Sequence, residues 1–367
     1  MRQGKSGNLN QMIKIGNKVI GGDKTYIVAE FGVNHNGSLE RAKEAIIKAA
    51  EAGADAIKFQ TYKADELVCK NTPKFWDFED DAEKNQHEAY EDIGGEPMEW
   101  YPELIALCKE NDIEFLTTCF STETADKMNE LGMKAFKVAS SDMSTLPYLE
   151  HIAKFNKPII LSTGAATMTE IKEAVKTIKD AGNDQIVLLH CVLCYPTMYG
   201  DKDVHYEDGN FNVMNKLAVE FPELEIGISD HTQTSFSSVI AAAMGATLIE
   251  KHYTTDKTLG KSADHWFSVD PKELKEIVDG CRNVELLGGS WDRPVFECEK
   301  ETRMYDKRSI VSKVNIKKGE TITREMLTFK RPGTGIWPSH LNEVVGAKAD
   351  RDIQEDRPMV WEDIARV

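Results

Sequence analysis

The sequence predicts a parallel (β/α)8 TIM barrel followed by a small β-rich domain. Three observations carry that expectation. Eight near-continuously apolar runs recur between residues 26 and 252, the segments between them have helical spacing, and the texture changes near residue 306. Continuous apolar runs are what strands buried on both faces require. Strand–helix alternation alone also fits a doubly wound sheet, and it is the number of units, eight, that favours the barrel. With 367 residues the chain has room for both parts.

The elements follow in order. Residues 1–25 hold a small hairpin, QMIKIGNKVIGGDKT, with two short apolar runs around a GN turn, expected to close the barrel floor. The barrel spans 26–288, and its strands are YIVAEFG, DAIKFQT, IEFLTT, AFKVASS, PIILSTG, IVLLHC, LEIGISDH and ATLIEKH. Amphipathic segments such as LERAKEAIIKAAEAG and MTEIKEAVKTIKDAG intervene, several closing on glycine (Gly53, Gly182, Gly245), a helix-stop signal. Thr61 to Asp112 is far longer than an ordinary connection and carries the acidic, aromatic stretch FWDFEDD, Gly94-Gly95 and a helix-like stretch at 98–110. Insertions of that length are commonly lids or binding loops, and this one is expected to shape the mouth of a site. A linker over 289–305 leads to short strand-like runs in 306–367, divided by turn signals such as KKGE.

Composition narrows the function. Lys and Arg number 45 against 61 Asp and Glu, a net charge of −16. Such a balance argues against a general nucleic-acid or anionic-membrane binder, which needs surplus positive charge. A small anionic ligand, needing only a local positive pocket, stays possible. No stretch approaches the roughly 20 apolar residues of a membrane span, and MRQGKSGNLNQM lacks the apolar core of a secretion signal. Seven scattered cysteines fit reduced thiols better than a disulfide framework. A soluble, acidic, cytoplasmic protein is the expectation.

Polar residues gather where a barrel places its chemistry, at the C-terminal strand ends. These are Glu30; Lys58 and Gln60; Thr117 and Thr118; Lys137, Ser140 and Ser141; Ser162 and Thr163; His190; Ser229, Asp230 and His231; and Glu250, Lys251 and His252. By alternation Lys58 shares a face with Gln60, Ser229 with His231, and Glu250 with His252. Buried charges cost several kcal/mol unless paired, so a set of structural ion pairs is the plain alternative to an active site. His231 and His252 can bind a divalent metal, or be hydrogen-bonded core residues. Lys58 and Lys137 with Thr118, Ser140, Ser162 and Ser229 have the make-up of an anion cradle, ammonium charge plus hydroxyl donors suiting a phosphate; serines and threonines there can also cap helices. Glu30 and Glu250 are candidates for sugar hydroxyls or proton transfer. Cys191 and Cys194 form one CxxC, read as strand packing.

At these residues a resemblance is plain. IVAEFGVNHNGSLERAK, GADAIKFQTY, FKVASSDM, KPIILSTG, LLHC…YP, IGISDHT, IEKHYTTD and ADHWFS together resemble the sialic acid synthase family (N-acetylneuraminate, legionaminate and pseudaminate synthases). KRPGTGI…VVGAKADRDI is similar to the antifreeze-like SAF domain fused to them, and the colinear match runs over roughly 26–365. The resemblance implies condensation of phosphoenolpyruvate with an open-chain N-acyl amino sugar, N-acetylmannosamine or a diacetamido-trideoxyhexose, with phosphate lost by C–O cleavage. It implies that His231 and His252 hold a divalent cation, manganese or else magnesium. Lys137, Ser140, Thr118, Ser162 and Ser229 would grip the phosphate and carboxylate of phosphoenolpyruvate, with Lys58 adding charge. Glu30 and Gln60 would face the sugar, Tyr195 would line the pocket, and Glu250 or Asp264 would position water. Arg331 would reach the acyl group in the partner's barrel, implying a domain-swapped homodimer. Departures from the family pattern are Cys119 for a common Pro, Asp142 for Glu, Leu193-Cys194 before Tyr195-Pro196, SADHWFS for a Gly-Pro start, and the long GDKDVHYEDGNFN; they point to a divergent sugar. Two other readings compete: a Schiff-base pyruvate aldolase using Lys58 or Lys137, and a non-catalytic carbohydrate-binding scaffold.

Overall fold

The computed structural model describes residues 12–74, 84–95, 97–193, 206–259, 264–265, 267–290 and 292–365. The chain divides into two compact units, Met1–Gly289 and Ser290–Val367.

The first unit opens with an antiparallel hairpin, β1 (Lys14–Ile15) and β2 (Lys18–Val19), which turns at Gly16 with φ +59°. Ile13, Ile15 and Ile20 bury into the main core. Gly16 and Gly21 lie against the carboxylates of Glu114 and Glu225, which begin β5 and β9, so the hairpin crosses the N-terminal end of the barrel. Eight parallel strands form that barrel: β3 (Tyr26–Gly32), β4 (Ala56–Thr61), β5 (Glu114–Cys119), β6 (Phe136–Val138), β7 (Ile159–Ser162), β8 (Ile186–Cys191), β9 (Glu225–Asp230) and β10 (Leu248–His252). The ring is closed by β10 pairing with β3. All seven residues of β3 and all six of β8 are buried, as the continuous apolar runs require.

Local signals set the helices. Ser38 caps the helix Leu39–Ala52 and Gly53, at φ +89°, ends it. Thr167 with Glu170 and Asp270 with Glu273 form capping boxes for Met168–Asp180 and Pro271–Gly288; each cap stabilises by about 1 kcal/mol. Two features differ from the sequence pattern. β6 has three residues, because after Val138 the chain turns into a 3-10 segment at Ser140–Asp142, leaving Ser140 off the strand. The long connection after β4 carries helices Ala64–Leu67, Gln86–Ile93 and Tyr101–Glu110, while FWDFEDD lies outside the described residues. Among the described residues no helix is long and apolar enough to cross a membrane, and Cys69, Cys108, Cys119, Cys191, Cys281 and Cys298 form no disulfide.

The second unit has its own core, built on Ile310, Ile316, Ile322, Leu327, Ile336, Val344, Ile353 and Met359. β11 (Ser309–Ser312) pairs antiparallel with β12 (Leu327–Lys330), and isolated bridges such as Ile316 with Ile353 tie the rest. The residues just before it are helical at Lys300–Tyr305. Buried Asp363 is its polar hub: Oδ1 accepts from Arg351 at 2.6 Å and Arg357 at 2.5 Å, and Oδ2 from the Val360 amide at 2.8 Å. Burial alone would raise this carboxyl, but Arg357, the Val360 amide and Arg351 outweigh it and hold it below the usual Asp range. A depressed folded value contributes stability above the unfolded pKa of about 4, and that stability is lost as pH falls through the folded value. Denaturant unfolding across the acid range should show this unit weakening below about pH 4, and Asp363→Asn should flatten that fall while lowering stability at neutral pH.

Candidate active site

Strand alternation and register bring the charged residues together. Across neighbouring strands Glu30 is level with both Lys58 and His252, Gln60 with Thr118, Thr118 with Lys137, and Glu250 with Ser229. Lys58 Nζ lies 2.5 Å from Glu30 Oε2 and 3.9 Å from Glu250 Oε2, and donates to Thr118 Oγ1 at 2.9 Å. Lys137 Nζ stands 3.4 Å from Glu250 Oε1 and donates to the Val138 carbonyl at 3.1 Å. Ser229 donates to Glu250 Oε1 at 2.9 Å and Gln60 to Glu30 Oε1 at 2.8 Å. The four charged side chains are each at most 4% exposed. Two carboxylates and two ammoniums withdrawn from water survive only through mutual compensation, and a packed apolar core would be at least as stable. The arrangement is suited to chemistry, not to holding the barrel together.

The four groups are not equivalent. Burial pushes the Glu30 carboxyl above its ordinary value, Lys58 pulls it back and Glu250 adds to the rise. Burial would also raise Glu250, but Lys137 and then Lys58 outweigh it and keep it ionised. At Lys58 the lowering by burial is overcome by Glu250 and Glu30, whereas at Lys137 burial wins over Glu250 and the ammonium is pulled down. Lys137 is therefore the less compensated cation, and Glu30 the carboxyl closest to holding a proton.

Beside this quartet the rings of His231 and His252 stand 4.9 Å apart, edge to face. Phe267 packs on both, at 4.7 Å from His252 and 5.9 Å from His231. Asp264 Oδ2 is 3.3 Å from His252 Nδ1, and Cys191 Sγ is 4.0 Å from His231 Nε2. Burial, and next His252, lower His231 to about 3, so its imidazole is neutral. Among the described residues no group of three or more His, Cys, Asp and Glu side chains forms a ready-made metal cage. Gly32 makes the convergence possible: at φ +53° a Cβ there would meet Gln60 Nε2 at 3.0 Å, Glu30 Oε1 at 3.1 Å and Asp264 Oδ2 at 3.3 Å.

Glu30, Lys58, Gln60, Thr118, Lys137, Ser229 and Glu250 thus form one contact network, with His231, His252 and Asp264 in a second. Ser162 Oγ is buried with no hydrogen-bond partner among the described residues, and Ser140 Oγ accepts from the Gly164 amide at 2.9 Å. Tyr195 lies outside the described residues. Arg331 is in the second unit, exposed, with Nη1 2.6 Å from Asp306. Four polar strand-end residues face the other way. Thr117 meets Thr61 at 2.8 Å and His190 donates to the Gly209 carbonyl at 2.7 Å. Asp230 and Lys251 pair at 3.1 Å; Asp230 also accepts from Ser237 at 2.5 Å and Ser238 at 2.8 Å, both on the helix Ser235–Ala243. Two neighbours of the imidazoles, Phe267 and Cys191, carry no sequence signal of a place in the site. Phe267 sits in ADHWFS, where an aromatic pair reads as core, and Cys191 shares its face with Leu189, which reads as packing.

Residues 45–293 match the NeuB family and residues 307–365 the SAF domain. The N,N'-diacetyllegionaminic acid synthase of Legionella pneumophila is 38% identical over 345 residues, covering 92% of this chain and 94% of its own. The pseudaminic acid synthase of Helicobacter pylori is 33% identical over 349 residues, covering 93% and 98%. The crystal structure of the N-acetylneuraminic acid synthetase of Leptospira borgpetersenii, in complex with citrate, shares 31% identity at a TM-score of 0.69, covering 80% of this chain and 95% of that one. An eight-stranded barrel with its charged mouth, a following SAF domain and near-full-length similarity to three acid-sugar synthases agree: the chain belongs to the NeuB family.

Proposed function

We propose that the chain condenses phosphoenolpyruvate with an open-chain N-acyl amino sugar to give a nonulosonic acid and inorganic phosphate. The observation that carries this reading is the pair of buried lysines, Lys58 and Lys137, held against Glu30 and Glu250 beside two imidazoles at the C-terminal mouth. A trianionic enol ester needs preorganised cations and hydroxyl donors. Lys137 faces one carboxylate where Lys58 faces two, Thr118 and Ser229 bond to the same charged network, and Ser162 offers a buried hydroxyl in want of a partner.

His231 and His252 would hold a divalent cation, manganese or magnesium, and the His231 imidazole, kept neutral by burial, retains the lone pair that such a role needs. Bound there, the cation would supply Lewis-acid polarisation of the aldehyde. The chain's own residues do the rest. Lys58, Lys137 and the hydroxyls hold phosphate and carboxylate while C3 of phosphoenolpyruvate bonds to the aldehyde carbon. Glu30, its carboxyl raised by burial, is placed to give the aldehyde oxygen a proton, and the Gln60 amide fixes its orientation. Water then adds at C2, with Glu250 or Asp264 receiving its proton, and the C2–O bond breaks to release phosphate. Arg331, exposed on the second unit, would serve the acceptor site of a neighbouring subunit in a domain-swapped homodimer. Because phosphoenolpyruvate is made in the cytoplasm, we place the reaction there.

A phosphate-release assay with phosphoenolpyruvate, Mn2+ and either N-acetylmannosamine or diacetamido-trideoxyhexoses tests the reading. We expect one phosphate per keto acid, heavy oxygen from the C–O–P bridge in the phosphate, loss of turnover with EDTA and recovery with Mn2+. Turnover that ignores EDTA, or a lysine adduct trapped by borohydride, overturns it in favour of a Schiff-base aldolase.

A further inference from the structure

Two side chains beside the imidazoles, Asp264 and Phe267, belong to neither a strand nor a helix. The Ser268 amide donates to the Asp264 carbonyl at 3.1 Å, an i to i+4 bond that turns the chain once. Residues three apart then share a side. Asp264 and Phe267 face the imidazoles, with Oδ2 3.3 Å from His252 Nδ1 and the Phe267 ring 4.7 Å from that of His252. His265 and Ser268 make their contacts elsewhere. A single turn holds no position by itself, so the partners of His265 and Ser268 decide where Asp264 and Phe267 stand.

Those partners come from the loop that follows β3. Asn34 is fully buried and donates through Nδ2 to the Tyr253 carbonyl at 2.8 Å and to the Ser268 hydroxyl at 3.2 Å. It thereby ties the residue after His252 to the turn. Asn36 Oδ1 lies 3.1 Å from His265 Nε2, and Thr254 Oγ1 lies 2.8 Å from His265 Nδ1. Burial lowers the His265 imidazole to about 4, so the ring is neutral with a single N–H. Between a carbonyl oxygen and a hydroxyl, Nε2 donates to Asn36 and Nδ1 accepts from Thr254. The loop is itself braced: Arg41 donates to the His35 carbonyl at 3.0 Å, and the Gly37 amide donates to His35 Nδ1 at 3.0 Å.

We infer that Asn34 and Asn36 are positioning residues, which act through Ser268 and His265 to fix how Asp264 and Phe267 meet the imidazole pair. This deepens the condensation reading and rests on it for the work done at those imidazoles. A displacement of about 1 Å from reacting geometry can cost about a hundredfold in rate. Groups that orient a metal-binding imidazole carry about 10- to 100-fold in affinity or activity.

Asn36→Gly tests the inference, because glycine adopts the φ of +47° freely and removes the side-chain acceptor of His265. Asn36→Asp keeps an acceptor oxygen and serves as the rescue. Three readouts are taken on the full-length protein: the ring nitrogen NMR signals of His231 and His252 without metal, calorimetric Mn2+ affinity, and kcat against KM for phosphoenolpyruvate. Asn36→Gly should shift the His252 signals, weaken Mn2+ binding about tenfold and lower kcat about tenfold with KM little changed. Asn36→Asp should recover affinity and kcat to within about threefold of the wild-type protein. Ser268→Ala, which breaks the Asn34 arm, should move the same readouts in the same direction. Unmoved imidazole signals with unchanged Mn2+ affinity in Asn36→Gly, or an Asn36→Asp variant no better than Asn36→Gly, overturn the inference. A wild-type protein that neither binds Mn2+ nor releases phosphate counts against the condensation reading, while the imidazole spectra still decide the role of the asparagines.

Discussion

Lys137→Met is expected to lower kcat/KM for phosphoenolpyruvate by about 10³-fold, roughly 4 kcal/mol of transition-state stabilisation, while the barrel still folds. The two halves of that result have separate causes. Activity falls because Lys137 faces a single carboxylate at 3.4 Å where Lys58 faces two, and so is the site lysine freer to answer a substrate's charge. The fold persists because Glu250 keeps its Ser229 hydrogen bond at 2.9 Å and Lys58 at 3.9 Å, and no carboxylate is stranded. Methionine refills much of the volume with an apolar chain. Steady-state kinetics with varied phosphoenolpyruvate, beside a denaturation curve, separates the halves. A loss within tenfold, or one that follows only the unfolded fraction, would refute the role given to this lysine.

Asp230→Ala should act in the opposite sense, destabilising the first unit by about 3–5 kcal/mol through an uncompensated charge. Lys251 has no measurable exposure, and its remaining partner would be Thr232, to whose carbonyl and hydroxyl it donates. Ser238 would lose its carboxylate acceptor as well, while Ser237 would keep the Thr234 carbonyl at 3.1 Å. The double variant Asp230→Leu with Lys251→Met should recover much of the loss, because it removes both charges and both desolvation costs. Chemical denaturation of the single and double variants measures the coupling. A single variant as stable as the wild-type protein would mean that Lys251 reaches water or another anion when its partner is gone.

The contrast between Lys137 and Lys251 shows how far the primary structure can be read. Both are lysines in apolar strands, and both are visible from the sequence as costly. Alternation separates Lys251 from Glu250 and His252, so the opposite faces of β10 are legible. Which face meets the pocket is decided by barrel closure, a long-range event that period-two spacing does not encode. The eight strands were legible because each is buried on both sides. The early end of β6 was not, since Ala139 begins the turn that seats Ser140 and its composition does not differ from strand. The quartet of charges could be assembled from strand ends, given the barrel. The contact of Tyr62 with Tyr90 could not, because Tyr90 comes from a helix 28 residues beyond Tyr62, placed by tertiary packing.

The bare Cα at position 32 sets a limit on re-engineering this enzyme. Three working side chains already claim the volume that even a methyl would take, so a library aimed at new acceptors gains nothing from randomising that side. Variation that keeps Gln60, Glu30 and Asp264 in place has to come from positions other than 32.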